Sequence, residues 1–495
     1  MKNERNPIDR MKNTALWLKE HPIAILLAFS LLVRFYNIDS PLIGAHSWRQ
    51  TQTAMIARNF QEHGYMFFYP QVDWGGNSPG YFESEFPIYS YLIAPAYEAE
   101  GFGEVWARFL TILASLCGIY FLYRLVRNIL GERIAVWSAG FFALLPLQVF
   151  YSRVVMPDMV MLASMIAGVH FFNEWLGQER RKHLILSALC VSLAGLIKPT
   201  ALHIGLPLLF LAWTKFGKGM LFRKALWGYA AGVFLPVALW YYHAHTIRLD
   251  GGLSVDMSDK WGNWDLVLTA EFWNRIVFQS LAERHLTWAG FIAFAVGLFL
   301  KRESVKEKLF DAWLVAVVVY FMIVGMGNYV HEYYQLPFII PAAVILGKVY
   351  GRYFNWKEGR SAVKWSLIAA LLLISAAGVW RYSVYMQFED EESSAELKFA
   401  SAIKNQTSPS ALIGLMARND PTLLYLSDRK GWHVTMEHVA NGQIDSLVQS
   451  GMTHLVGADR YLRQGEKSIV DSVMAKYSKI TDKDGFFIYT VGEGS

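Results

Sequence analysis

The chain has 495 residues, of which 54% are hydrophobic, 15% aromatic and only 18% charged, with a formal net charge of +5. A soluble domain carries roughly a quarter charged residues, so the totals point to a lipid-embedded bulk. The excess Lys and Arg sit in short connections between apolar runs, which removes the argument for a nucleic-acid partner.

Eleven apolar segments follow one another near 16–36, 105–127, 132–151, 157–176, 183–197, 200–214, 222–244, 285–300, 309–327, 333–351 and 363–385. Runs of this length are what a hydrocarbon slab of roughly 30 Å asks of a helix, because only internally hydrogen-bonded backbone can cross it. The expectation is an all-α polytopic domain over 1–385. Residues 1–20 are basic and no small-residue cleavage site follows the first apolar run, which predicts an uncleaved first helix. Cys117 and Cys190 both fall inside apolar runs, so neither a disulfide framework nor a cysteine-rich metal site is expected.

Alternate connections carry the basic residues. One face holds Lys2, Arg5, Arg10, Lys12 and Lys19, then Arg124, Arg127 and Arg133, then Arg180, Arg181 and Lys182, and it continues to Lys348, Arg352 and Lys364. The positive-inside rule makes this face, with the N-terminus, cytoplasmic. Lys198-Pro199-Thr200 separates two short apolar runs. Proline lacks an N–H and restricts the residue before it, which predicts a break there and two helices in place of one.

The first outside connection, 37–104, is acidic and rich in aromatics, too patterned for a linker and too long for an ordinary turn. A second, 254–284, carries Trp261, Trp264, Phe272, Trp273 and Phe278 and predicts an interfacial amphipathic helix. From residue 386 the composition becomes that of a soluble domain. Its apolar runs ALIGLMA, THLVGA and FFIYTV read as strands between helical stretches, predicting a small extracytoplasmic α/β domain over 386–495. GFGEVW has no third glycine and no strand before it, so it is no dinucleotide fingerprint.

Ionisable residues gather at the outside ends of the apolar segments: His46 and Arg49, Arg108, Arg153 and Asp158, Lys198, and His331 with Glu332. Charge at membrane depth is costly and marks substrate paths, so the set points to a polar cavity opening outward. Any single Lys or Arg could instead snorkel to the headgroups, and Asp158 at a helix start could simply favour the helix N-terminus.

These features resemble the membrane glycosyltransferases of the C fold, in the branch of protein O-mannosyltransferases and the lipid A aminoarabinose transferase. The resemblance runs over most of 1–385: a large outside loop directly after the first helix, Arg108 opening the second, YSRVVMPDMV between the third and fourth, Lys198-Pro199, and HEYYQLPFIIP. Within the loop, YFESEFPIYSYLIAP places Glu85 and Pro87 on that branch's aromatic-Glu-x-Pro segment. The resemblance implies a hexosyl- or pentosyltransferase of the cell envelope, embedded in a bacterial cytoplasmic membrane. Its partners would be a polyprenyl-phosphate-sugar donor, membrane lipid, and a glycan, lipid or protein acceptor.

One departure stands out. The family places an Asp-Glu pair just after the first helix, with the Asp held to be the base, whereas this chain reads HSWRQTQTA at 46–54. The base is therefore sought among His46, Glu85 and Asp158, with Asp73 a further carboxylate in the loop. Tyr81, Phe82, Phe86 and Tyr89 could wall a desolvated pocket around Glu85. Transfer needs a base for the acceptor hydroxyl and cations for the departing phosphate. Arg49, Arg108, Arg153, Lys198, His331 and Tyr334 are the candidates for holding the donor's lipid phosphate. No cofactor is required on these grounds, a divalent metal stays open, and no metal ligands are assigned. A transporter or flippase is the alternative, but it commonly shows internal repeats that this sequence lacks.

Overall fold

The computed structural model describes residues 21–255, 258–353, 394–483 and 485–492, together with positions 366, 369 and 376. The apolar segment 363–385, the basic residues 1–20 and the acidic run Glu389–Glu392 lie outside the described residues, apart from those three positions. Two compact units emerge. The first takes Met1–Ile38, Arg108–Tyr241 and Asp256–Val384, and the second takes Asp39–Ala107, Tyr242–Val255 and Tyr385–Ser495. The sequence reading divided the chain once, near 386. The contacts instead group the first outside loop with the C-terminal residues.

The first unit is helical, and the described parts of the first ten apolar segments fall mainly on helix. Among the described residues, four helices are long and apolar enough to cross a membrane alone: Glu104–Leu130, Asp158–Gln178, Lys224–Leu249 and Glu332–Tyr353. Others are interrupted at prolines. Leu145, before Pro146, turns extended (ψ 138°) and splits Glu132–Leu144 from Pro146–Tyr151. Lys198, before Pro199, does the same (φ −146°, ψ 120°), ending helix Arg181–Ile197 and starting a 3₁₀ turn over Pro199–Ile204. The predicted break at Lys198-Pro199 is present.

Helix Ile339–Tyr353 is enclosed on every face, with Ile339 through Gly351 all buried. Its close packing depends on Gly347, where a Cβ would lie 2.6 Å from the backbone nitrogen of Ser138. The described residues of 254–284 do not form a single interfacial helix. Gly262 and Asn263 are taken up by contacts to Ile323 and Met326, leaving short turns and then a π-helix over Asn274–His285.

The second unit opens with helix Ser47–Glu62, where the sequence reading expected loop. Its eleven buried residues, Gln50 through Phe60, form an unbroken run that mixes Gln, Thr, Arg and Asn with Ala54, Met55, Ile56, Ala57 and Phe60, so the helix is enclosed on all sides and gives no single apolar stripe to read. Threonine hydroxyls satisfy themselves locally, Thr51 on the Ser47 carbonyl and Thr53 on that of Arg49.

The C-terminal residues form a five-stranded sheet of β1 (Leu412–Met416), β2 (Lys430–His433), β3 (His454–Ala458), β4 (Ser478–Lys483) and β5 (Phe486–Thr490), in the order β2-β1-β3-β5-β4. β1 runs parallel to β2 and β3, pairing Ile413 with Gly431 and His454, whereas β5 is antiparallel to β3 and β4. Leu455, Phe487, Val470 and Met474 pack the core of this sheet. The three apolar runs read as strands are β1, β3 and β5, and the small α/β architecture is as expected.

The β2 edge is covered by the first loop. Gly76 donates its N–H to the Gly431 carbonyl (2.7 Å), and Gly431 donates to the Asp73 carbonyl (2.9 Å), which blunts an edge that would otherwise be open to pairing. Gly76 is obligatory there: its φ is +59° and the Trp432 indole occupies the place of a Cβ.

Candidate functional site

In the first unit the structure brings Asp158 and Lys198 together. Asp158 is the first residue of helix Asp158–Gln178, behind Pro157, and Lys198 occupies the extended residue that ends helix Arg181–Ile197. Lys198 Nζ donates to Asp158 Oδ1 at 2.5 Å, with the carboxylate side chain 1% exposed and the ammonium 13%. The carboxylate is therefore committed to a cation and does not cap its helix. Its second oxygen, Oδ2, is buried without a hydrogen-bond partner among the described residues.

Aromatic rings complete this cluster. Lys198 Nζ lies 4.9 Å from the centroid of Tyr333 and 5.5 Å from that of Tyr334, near enough for cation–π attraction. His331 stacks on Tyr333 at 5.2 Å and 16°, and the Tyr320 hydroxyl donates to the Tyr334 carbonyl (2.8 Å). His203 stacks in turn on Tyr320 at 5.2 Å and 16°. The turn Glu332–Phe338 carries both tyrosines because Pro337 keeps it from continuing as ordinary α-helix. Sequence reasoning named Tyr334 but overlooked His203, which sits four residues after Pro199 on the opposite side of the broken helix. The Lys-Pro break was the available signal.

Two of the proposed phosphate ligands are buried. Arg153 donates to the carbonyls of Tyr36 and Asn37, just beyond helix Pro22–Arg34, and thereby serves as a cation at that helix's C-terminal end. Arg108 lies buried in helix Glu104–Leu130.

The remaining candidates belong to the second unit. His46 precedes helix Ser47–Glu62 in the left-handed region (φ 56°), a conformation that histidine adopts more readily than most residues. Arg49, in the helix's first turn, forms an ion pair with Glu85, and both side chains are partly buried. Glu85 therefore has a structural cation. The expected aromatic walls around it do not hold as drawn: Phe82 and Tyr89 are core residues, Phe82 against Trp74 and Tyr89 bonded to the Ala107 carbonyl.

Asp73 is committed elsewhere. Its Oδ2 accepts from Arg58 (2.6 Å) and its Oδ1 from Asn59 (2.9 Å), while Arg58 also meets Asp428 at 2.8 Å and the Tyr425 carbonyl at 3.2 Å. Burial penalises the Arg58 charge, yet the carboxylates of Asp73 and Asp428 outweigh it and raise the guanidinium's hold on its proton. This cluster joins the first loop to the C-terminal domain. Sequence reading missed Arg58 because its carboxylate partners lie in two distant stretches of chain. Among the described residues no three His, Cys, Asp or Glu side chains converge as a metal site would need.

The matching family model is described as dolichyl-phosphate-mannose-protein mannosyltransferase and covers residues 84–243. No curated protein matches the chain by sequence. ArnT from Cupriavidus metallidurans, solved with undecaprenyl phosphate bound, superposes with a TM-score of 0.64 at 17% identity over 94% of this chain and 97% of that one. The chain has the C-type glycosyltransferase fold. That fold is shared with the archaeal oligosaccharyltransferase AglB from Archaeoglobus fulgidus, at TM-score 0.58 and 12% identity over 97% of this chain and 75% of that one. It is shared too with the mycobacterial arabinofuranosyltransferase AftD, at 0.55 and 15%, where this chain spans 95% of itself but 40% of AftD. On this C-type fold the family match takes in Glu85, Arg108, Arg153, Asp158 and Lys198.

Proposed function

We propose that the protein transfers a sugar from a polyprenyl-phosphate carrier to an acceptor at the extracytoplasmic face, with inversion at the anomeric carbon. The observation that carries this reading is the Lys198–Asp158 pair beside Tyr333 and Tyr334, a half-buried cation on a buried carboxylate where one helix of a C-type fold ends and another begins. The undecaprenyl phosphate held by the ArnT structure supports a polyprenyl-phosphate donor.

In the proposed reaction the acceptor oxygen forms a bond to the anomeric carbon while the bond from that carbon to the phosphate oxygen breaks. The acceptor proton passes to a base, which is one of His46, Glu85 and Asp158, and polyprenyl phosphate leaves with the electron pair. Lys198 neutralises the developing phosphate charge, a role worth several kcal/mol in a water-poor site. An ammonium suits this task because it has three donors, and Asp158 uses one of them. Arg49 is held by Glu85 and contributes by placing that carboxylate. A single displacement explains inversion, since attack from the face opposite the departing phosphate needs no second nucleophile. The proposed topology has eleven spans, a cytoplasmic N-terminus and the C-terminal domain outside.

The test uses purified protein in detergent and a panel of polyprenyl-phosphate hexoses and pentoses. Release of polyprenyl phosphate, with transfer to an added acceptor and an inverted anomeric signal by NMR, is the expected result. Absence of turnover over the whole panel would return the chain to the flippase reading.

A further inference from the structure

The C-terminal sheet contains a crevice of its own. β1 leads to β2 on one side of the sheet and β3 leads to β4 at the far edge on the other, so the chain departs in opposite directions from these two parallel neighbours. In open α/β sheets such a switch point opens a cleft at the carboxyl ends of the strands, where ligands bind. A cavity of about 530 Å³ lies there, lined by Arg418, Asn419 and Asp420 after β1 and by Arg460 and Tyr461 after β3. Trp48 and Glu396 complete its wall. That volume is within the roughly 300–1,000 Å³ usual for small-molecule sites.

The backbone at this place is unusual. Arg418 (φ 52°) and Asn419 (φ 63°) are consecutive left-handed residues, and an arginine in that region is uncommon and strained. Arg418 Nε donates across the crevice to the Tyr461 carbonyl (2.9 Å), which holds the guanidinium in the lining of the crevice. Arg460 pairs with Glu396 at 3.2 Å and lies 4.9 Å over the Tyr461 ring.

The chemistry of this lining is specific. Two arginines are balanced by Glu396 and Asp420, so the pocket offers donors and acceptors in near-equal number without the surplus of positive charge that a phosphate or nucleotide demands. Two aromatic side chains, Trp48 and Tyr461, line the pocket beside those planar polar groups, with Arg460 over one face of Tyr461. A ring that carries adjacent hydroxyls on its edge and C–H bonds on its face satisfies both features, which is the description of a pyranose or furanose. We propose that the strand-end crevice is a saccharide-binding subsite that receives the sugar portion of the acceptor. The assignment as acceptor rests on the glycosyltransferase reading; saccharide binding does not.

The full-length protein in detergent is applied to an array of immobilised neutral and uronate-containing oligosaccharides. The wild type should retain at least one of them, and Arg418→Gly and Tyr461→Ala should each weaken that binding at least tenfold. Glycine removes the left-handed strain together with the guanidinium, so Arg418→Gly separates loss of the ligand contact from loss of the fold. Lys198→Ala should bind the array as the wild type does while losing carrier-dependent turnover. No oligosaccharide retained by the wild type, or unchanged binding in both crevice variants, overturns the subsite. Crevice variants that lose binding in a protein that consumes no polyprenyl-phosphate sugar would leave the subsite standing and remove the transferase.

Discussion

Lys198 Nζ stands 2.5 Å from Asp158 Oδ1 and 4.9 Å from the ring of Tyr333, so one cation serves a buried carboxylate and an aromatic face at once. Removing it by Lys198→Ala leaves a buried carboxylate uncompensated, which costs about 3–5 kcal/mol in comparable pairs. The single variant should therefore lose both thermal stability and donor affinity. The Lys198→Met, Asp158→Asn pair removes both charges at similar volume, and should regain most of the melting temperature while donor binding stays weak. Donor binding equal to wild type in the double variant would assign Lys198 to the fold alone.

Arg58 holds the loop carboxylate Asp73, the C-terminal Asp428 and the Tyr425 carbonyl together. Arg58→Met should destabilise the second unit by about 3–5 kcal/mol because Asp73, only 2% exposed, would be left charged among buried groups. Asp73→Asn added to it should restore part of that loss. Both Asp73 oxygens are already bonded, so Asp73→Asn alone should lower the melting temperature yet keep kcat within a few-fold. A loss of turnover without a loss of stability would return Asp73 to the chemistry.

Much of this architecture is legible in the chain. Lys198-Pro199 marks the break between helices because the residue before a proline must leave the α region, and β1, β3 and β5 are legible as short apolar runs because they are buried on both faces. β2, reading KGWH, and β4, reading SKITDK, are the edge strands of the sheet. An edge strand tolerates charge and glycine, so its pattern carries little signal. Helix Ser47–Glu62 was hidden for a related reason: Gln, Thr, Arg and Asn are buried among its apolar residues from Gln50 to Phe60, so no stripe of one character runs along it. The same holds for the site. Ionisable residues at segment ends are visible as a set, but that Asp158 takes Lys198 and Glu85 takes Arg49 depends on tertiary packing.

His433, on β2 beside Trp74, is held by burial well below the usual imidazole value, at about 4. In the unfolded chain it titrates near 6.5. Because the folded value is the lower one, the unfolded state binds the extra proton. The stabilising contribution is then complete above about pH 6.5, diminishes as the pH falls from there, and is gone below about pH 4. Unfolding followed by calorimetry should show a melting temperature that drops over this interval, and His433→Phe should flatten that drop. An identical pH profile in the variant would show that other groups carry it.

Topology is testable at Asn441, an exposed residue just after the short helix Met436–Ala440. In a background with Cys117 and Cys190 replaced by alanine, Asn441→Cys in sealed right-side-out membrane vesicles should react with an impermeant maleimide without detergent. Reaction only after permeabilisation would place the C-terminal domain in the cytoplasm and overturn the assigned parity of spans.

The identity of the base turns on His46, which stands where the resembled family has its acidic pair. His46 is in the left-handed region at φ 56°, directly before the helix that carries Arg49. Two roles are separable there. If the imidazole takes the acceptor's proton, His46→Gly keeps the backbone, since glycine adopts this φ freely, and turnover should fall by roughly 10²–10⁴ with unchanged donor binding and an unchanged melting temperature. If His46 only shapes the turn, His46→Gly should stay nearly as active as wild type, whereas His46→Val should be impaired, because a β-branched residue resists positive φ. Glu85→Gln and Asp158→Asn complete the comparison. Each carboxylate has a cation partner, Arg49 or Lys198, so each variant also frees that cation, and its effect must be read on kcat at saturating donor to separate base chemistry from donor capture. A loss confined to kcat in one of the three identifies the base; full activity in all three would remove the proposed chemistry from these residues.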